Sequence, residues 1–244
     1  MTRISVILFM LPFFNARIIP ALSKAGLAFI ITIVLFPVIG TGTGPFPATA
    51  LGMARIILAE VCIGLTLGLL VQLIFEGVRI MGQLVGFQTG FAITNILDPQ
   101  SGMQISVLSN MAYMVAVVFF LLLNGHHILL IALRESFQIV GVGSANLTRH
   151  TFEKIVSLSG QMFVIALKIG APAIAALFFT QVAFGLVTKV IPQMNIMIVA
   201  FPVQIVVGLV FFGISLNGLL LFMERYVGKL HSLLLNSMAL MGAG

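Results

Sequence analysis

Along this chain hydrophobic residues do not alternate with polar ones; they run in long blocks broken by short polar or glycine-rich stretches. The first block, Ile4 to Phe14, holds 11 residues and is too short to span a bilayer unaided. It requires either a surrounding assembly or residues upstream. A second block, Ala25 to Ile39, ends at Gly40-Thr-Gly-Thr-Gly-Pro-Phe-Pro47, whose glycine and proline density forbids regular structure. Met53 to Phe75 predicts a helix of spanning length that continues through Glu76 to Gln88. A polar stretch follows, GFQTGFAITNILDPQSG from Gly86 to Gly102, and then an apolar run from Ile105 to Leu123. Asn124-Gly125 breaks that run, and a shorter apolar segment reaches Val140.

Gly141 to Thr148 reads as a flexible connector, which places a boundary near residue 150 and divides the chain into 1–150 and 151–244. The second part predicts a helical hairpin. Its arms are Phe152 to Lys189, interrupted at Ala171-Pro172, and Ile196 to Phe222; its turn holds Pro192, Gln193, Met194 and Asn195. Pro172 and Pro202 each remove a backbone hydrogen bond, so kinks are expected there. The predicted fold class is all-α: a polytopic membrane-type helical protein with kinked or broken helices.

Composition supports the membrane reading. Of 244 residues 60% are hydrophobic and 7% charged, far from the balance of soluble domains. Uncharged runs of 35 residues between Asp98 and Arg134 and of 34 between Lys189 and Glu224 each exceed a bilayer span. The net charge of +6 is scattered through nearly every connection rather than clustered, which argues against nucleic acid as a partner. The same scatter defeats a simple alternating topology. Cys62 is alone, so the chain can form no internal disulfide or cysteine metal site. Arg3 and the first apolar run imitate a signal peptide, but Asn15-Ala-Arg17 is no small-residue cleavage site, and retention in the bacterial inner membrane is expected.

Several motifs carry physical content. Gly82, Gly86 and Gly90 recur every four residues, and on a helix they would form one stripe open to close approach by a neighbour; Gly64 and Gly68 repeat the spacing. Asp98-Pro99 must end whatever helix precedes it. Ser101-Gly-Met-Gln104 then reads as a capping box. Glu60 is a carboxylate inside a spanning run, where an ionisable group is expensive and therefore a functional candidate. Pairing with Arg55, pairing with a partner chain, and ion conduction all stay open for it. Glu76 with Arg79 and Arg149 with Glu153 stand at helical ion-pair spacings. His126-His127 invites a metal reading, but adjacent helical residues diverge by about 100° and no ligand partner lies near in sequence. No hydrolase, zincin or P-loop motif is present, so neither catalysis nor a cofactor is predicted.

Taken in order, Ile18-Ile-Pro20 with Lys24-Ala-Gly-Leu-Ala28, Gly82 to Pro99, Leu123-Asn-Gly-His126, and Ile191-Pro-Gln-Met-Asn-Ile196 followed by Phe201-Pro202 resemble the FliR family of the flagellar type III export apparatus. The resemblance covers nearly the whole chain. It implies a non-enzymatic subunit of a helical, channel-forming assembly with FliP and FliQ. FlhB and FlhA would be further membrane partners, with unfolded export substrates in transit, at the flagellar basal body. It also implies that 1–150 is FliP-like and 151–244 FliQ-like. The family's pore is plugged by a loop below a methionine ring contributed by FliP, and the match places that plug in Phe87 to Met103. Phe91, Ile93, Ile96 and Leu97 are then the apolar side chains available to fill the lumen, with Asp98 and Pro99 turning the chain. The family has a longer approach before the first apolar run. Two other readings stand beside this one: the homologous injectisome export subunit, and a small-solute secondary transporter built on broken helices. The two halves of the chain do not look alike, and the transporter's charged coupling residue would have to be Glu60 alone.

Overall fold

The structure is a computed structural model that describes residues 1–12, 14, 20–39, 49–90, 106–144, 149–193 and 195–242. Among these residues every regular element is an α-helix. We number them α1 (Thr2–Met10), α2 (Ala21–Ile39), α3 (Ala50–Gln88), α4 (Val107–Leu122), α5 (Gly125–Ile139), α6 (Arg149–Val190) and α7 (Ile196–Gly242). The protein is an all-α membrane protein. Helices α3, α6 and α7 are long and apolar enough to cross a bilayer, and α4 with α5 would make a fourth, broken span.

Why each element begins and ends is legible in its residues. α3 runs unbroken through 39 residues, taking in Glu76 and Arg79. It stops at Gln88 because Gly90, at φ +84°, turns the chain into the left-handed region that glycine adopts without penalty. The break between α4 and α5 falls on Asn124, at φ 57°. Its N–H donates to Leu121 O, and its own carbonyl accepts from the N–H groups of His127 and Ile128, so one residue closes one helix and opens the next. Gly125 beside it has no Cβ because the Phe120 ring occupies that space. Pro172 and Pro202 lie inside α6 and α7, which continue through them as helix, so the break expected at Ala171-Pro172 is absorbed within one 42-residue element. The predicted loop at 40–47, the capping box at Ser101, and Met194 in the hairpin turn fall outside the described residues.

Packing gathers the chain into two units. The first comprises Met1–Ile74, Phe120–Gly160 and Arg225–Gly244. Within it α1 packs on α2, and α2 on α5. The buried residues of α1, Arg3, Ile4, Ile7 and Leu8, form one face of that short helix. Gly64 and Gly68 of α3 receive α1: a Cβ at Gly64 would stand 2.9 Å from Val6 Cβ, and one at Gly68 2.6 Å from Met10 Cβ. Leu8, Leu11, Leu27, Ile31, Leu129 and His126 wall an apolar cavity of about 200 Å3.

The second unit comprises Phe75–Phe119 and Gln161–Glu224. Val78, Met81 and Val85 of α3, Leu108, Ala112 and Ala116 of α4, and Ala173 and Leu177 of α6 are fully or almost fully buried there. The Arg79 guanidinium lies over the Tyr113 ring at 4.0 Å and its Nε is 3.9 Å from Glu76 Oε1, so the ring contact and a long ion pair hold it together.

Candidate functional site

Two sites emerge, one in each unit. In the first, Glu60 is buried, and its partner is Arg3, 57 residues away, rather than Arg55. Residues five apart on a helix diverge by about 140°, so Arg55 cannot reach the face that Glu60 occupies. Arg55 is exposed. Arg3 donates from Nε to Glu60 Oε2 at 2.8 Å and from Nη2 to Glu60 Oε1 at 2.9 Å, the two-pronged geometry that suits guanidinium and carboxylate. Its remaining reach goes to Ser136 Oγ at 3.0 Å and to Val140 O at 3.2 Å, while the Phe137 ring covers its face at 4.2 Å. Gly143 N–H adds a third donor to Glu60, at 3.1 Å. A Cβ at Gly143, which sits at φ +77°, would be 2.9 Å from Ile56 Cγ1. The charges are thus paired and hydrogen-bonded on every side, which is how a buried ion pair survives. Sequence reasoning missed Arg3. No local signal singles it out: Lys24 abuts an apolar run in the same way, and a partner 57 residues away leaves no mark on spacing.

The second site is the base of the segment 91–105. Phe91, Ile93, Ile96, Leu97, Asp98, Pro99 and Met103, all expected in the loop that plugs the pore, lie outside the described residues. Phe87, on the last turn of α3, is exposed. The two ends of the segment are described, and they meet. A Cβ at Gly86 would run into the Ser106 hydroxyl, and one at Gly82 would be 2.5 Å from Ser109 Cα and 2.9 Å from Leu108 O. Ser109 Oγ donates to Arg79 O at 2.9 Å, which ties the first turn of α4 back to α3. Gly82 and Gly86 therefore let the start of α4 lie against the end of α3, backbone to backbone. Gly90 is not a third member of a helical stripe, because the helix has ended; a Cβ there would be 3.0 Å from the Phe201 ring.

Between Gly86 and Gly90 lies Thr89, which is wholly buried. Its hydroxyl donates to Gly86 O at 3.0 Å, satisfying one of the carbonyls left over at the helix end. Its methyl abuts Gly208 of α7, where a Cβ would collide with Thr89 Cγ2 and lie 3.5 Å from Leu177 Cδ2. Thr89, Ser106, Ser109, Phe201 and Gly208 belong to this site, and sequence reasoning gave none of them a role. In the hairpin turn, Pro192 and Gln193 are exposed and Asn195 O accepts from Ile198 N–H, opening α7.

The ion pairs elsewhere are outlying. Arg149 and Glu153 pair at 2.7 Å on the surface, and His231 Nε2 lies 2.8 Å from Glu135 Oε2. The rings of His126 and His127 stack at 4.3 Å, and among the described residues no three potential metal ligands come together.

Residues 1–230 match the family described as "Bacterial export proteins, family 1". The chain belongs to this family. It is 31% identical to the flagellar biosynthetic protein FliR of Bacillus subtilis strain 168, over 98% of this chain and 93% of that protein. To the flagellar biosynthetic protein FliR of Escherichia coli K12 it is 28% identical, over 95% of this chain and 88% of the relative. It is also similar to the surface presentation of antigens protein SpaR of Salmonella typhimurium, 24% identical over 83% of this chain and 75% of that protein. Members of the family are structural components of a bacterial export apparatus rather than enzymes. Together with the apolar helices, membership puts the chain in a membrane.

Proposed function

We propose that this chain is a structural and gating subunit of the flagellar type III protein export channel, and that the segment 91–105 closes the pore as a loop. The observation that carries the reading is the closed base: the chain leaves at Gly90 and returns at Ser106 against Gly86. A segment of 15 residues so fixed at both ends can project a compact tip without displacing the helices that hold it. Its apolar members, Phe91, Ile93, Ile96 and Leu97, would exclude water and ions from the lumen, while the Asp98-Pro99 turn and Met103 lead the chain back to α4. An unfolded export substrate entering the pore would displace the tip, and the fixed base would return it.

Assembly with FliP and FliQ, and with FlhB and FlhA as neighbours in the bacterial inner membrane at the basal body, is part of the same proposal. Only 28% of the most apolar stretch of α6 and 22% of that of α7 are buried within the chain, so these helices have apolar faces for partner helices to cover. The proposed division into a FliP-like part, 1–150, and a FliQ-like hairpin, 151–244, would supply one face of each kind. Identity to the FliR relatives runs from 23 to 31% and to SpaR is 24%, so the flagellar branch is supported by the more similar of the FliR relatives, at 31% and 28%. The test is deletion of residues 92–97 in the assembled complex. The reading expects intact co-purification with FliP and FliQ and a membrane leaky to small solutes; an assembled complex with unchanged leakage contradicts it.

A further inference from the structure

The pivot from which the segment 91–105 departs is held by a helix distant in sequence. We propose that Gly208 of α7 is a positioning residue: the space left by its missing side chain fixes Thr89, and through Thr89 the left-handed turn at Gly90 that aims the segment. This rests on the reading of 91–105 as the seal for its consequence in leakage, but not for the geometry itself.

Thr89 has no freedom to yield. It is fully buried, its methyl faces Gly208, and its hydroxyl is engaged with Gly86 O at 3.0 Å. Rotating the side chain to move the methyl away gives up that hydrogen bond inside a site closed to water. A methyl group added at 208 is therefore resolved by moving the Thr89 backbone. The next residue, Gly90, at φ +84° and against the Phe201 ring, is the hinge that passes the movement on. Leu177 Cδ2 of α6 lies 3.5 Å from the same point, so an added methyl finds no open space beside Thr89. Alanine is a better helix former than glycine, so Gly208→Ala does not weaken α7 itself, and its effect reports the steric contact alone.

The experiment uses the full chain in its assembled complex, in a Cys62→Ser background that removes the native thiol. It follows small-solute leakage and the alkylation rate of Ala92→Cys, which reads the position of the segment whether or not it seals a pore. Gly208→Ala raises both by about tenfold, the population change expected of overpacking in a tight core. Thr89→Ser alone keeps the hydroxyl but leaves a methyl-sized hole, and loosens the segment several-fold. The double change Thr89→Ser/Gly208→Ala refills the hole and returns both readouts to within about twofold of the starting protein, as coupled neighbours require. Unchanged alkylation in Gly208→Ala overturns the positioning role. Failure of the double change to restore it overturns the route through Thr89. If Gly208→Ala does not assemble, the same rise in Thr89→Ser stands in for it, and its absence overturns the proposal. Raised alkylation without leakage, together with a tight 92–97 deletion, keeps the positioning role and removes the seal.

Discussion

Removing the Glu60 carboxylate should be among the most damaging single changes in the first unit. Glu60→Ala strips Arg3 of two acceptors, at 2.8 and 2.9 Å, and Gly143 N–H of its acceptor at 3.1 Å. Arg3 is wholly buried, so no water replaces what is lost; Ser136 Oγ, Val140 O and the Phe137 ring are left to hold a full positive charge. Breaking a buried pair from one side costs about 3 to 5 kcal/mol. Replacing both partners at once, Arg3→Met with Glu60→Leu, leaves no orphaned charge and is expected within about 1 kcal/mol of the original or above it. Chemical denaturation of the detergent-purified protein, run as a double-mutant cycle, measures the difference, and limited proteolysis reports whether α1 comes free first. A loss below about 1 kcal/mol in Glu60→Ala would put the pair in the class of solvent-screened surface bridges and refute the reasoning.

The same logic gives the opposite result at the His231–Glu135 pair, whose side chains are 40% and 31% exposed: Glu135→Gln should cost less than about 1 kcal/mol in the same denaturation assay. Gly82→Val should fail to assemble or lose more than about 3 kcal/mol, because the added Cβ meets backbone rather than a movable side chain, at 2.5 Å from Ser109 Cα. Co-purification yield checks it. At Asn124, φ 57°, substitution by glycine should be neutral and by alanine should lose about 1 kcal/mol, read as a shift in melting temperature.

How much of this was legible beforehand differs by element. Length and apolarity announced α3, α6 and the part of α7 up to Phe222, and Asn124-Gly125 announced the break before α5, because these signals are local; the continuation of α7 to Gly242, through the charged Glu224, Arg225 and Lys229, was not expected. The glycine spacing was legible too, but what each glycine faces was not. Gly64 and Gly68 receive α1, Gly82 and Gly86 receive the start of α4, and Gly90 has left the helix altogether. Periodicity says that a face is smooth and nothing about its neighbour. Arg3 was invisible as Glu60's partner for the same reason: a contact across 57 residues leaves no trace in local spacing, while the nearby Arg55 offered a misleading one. Gly208 is one of 24 glycines, and only its place opposite Thr89 distinguishes it.

If the segment that leaves at Gly90 and returns at Ser106 closes the pore, it stands in the path of exported protein. A photo-crosslinking residue at Ile96, in complexes with an export substrate stalled part-way through, tests it most directly. A covalent adduct is expected between position 96 and the stalled substrate, and none from the same residue at the exposed Val206 of α7. Substrate adducts from Val206 with none from position 96 would contradict it.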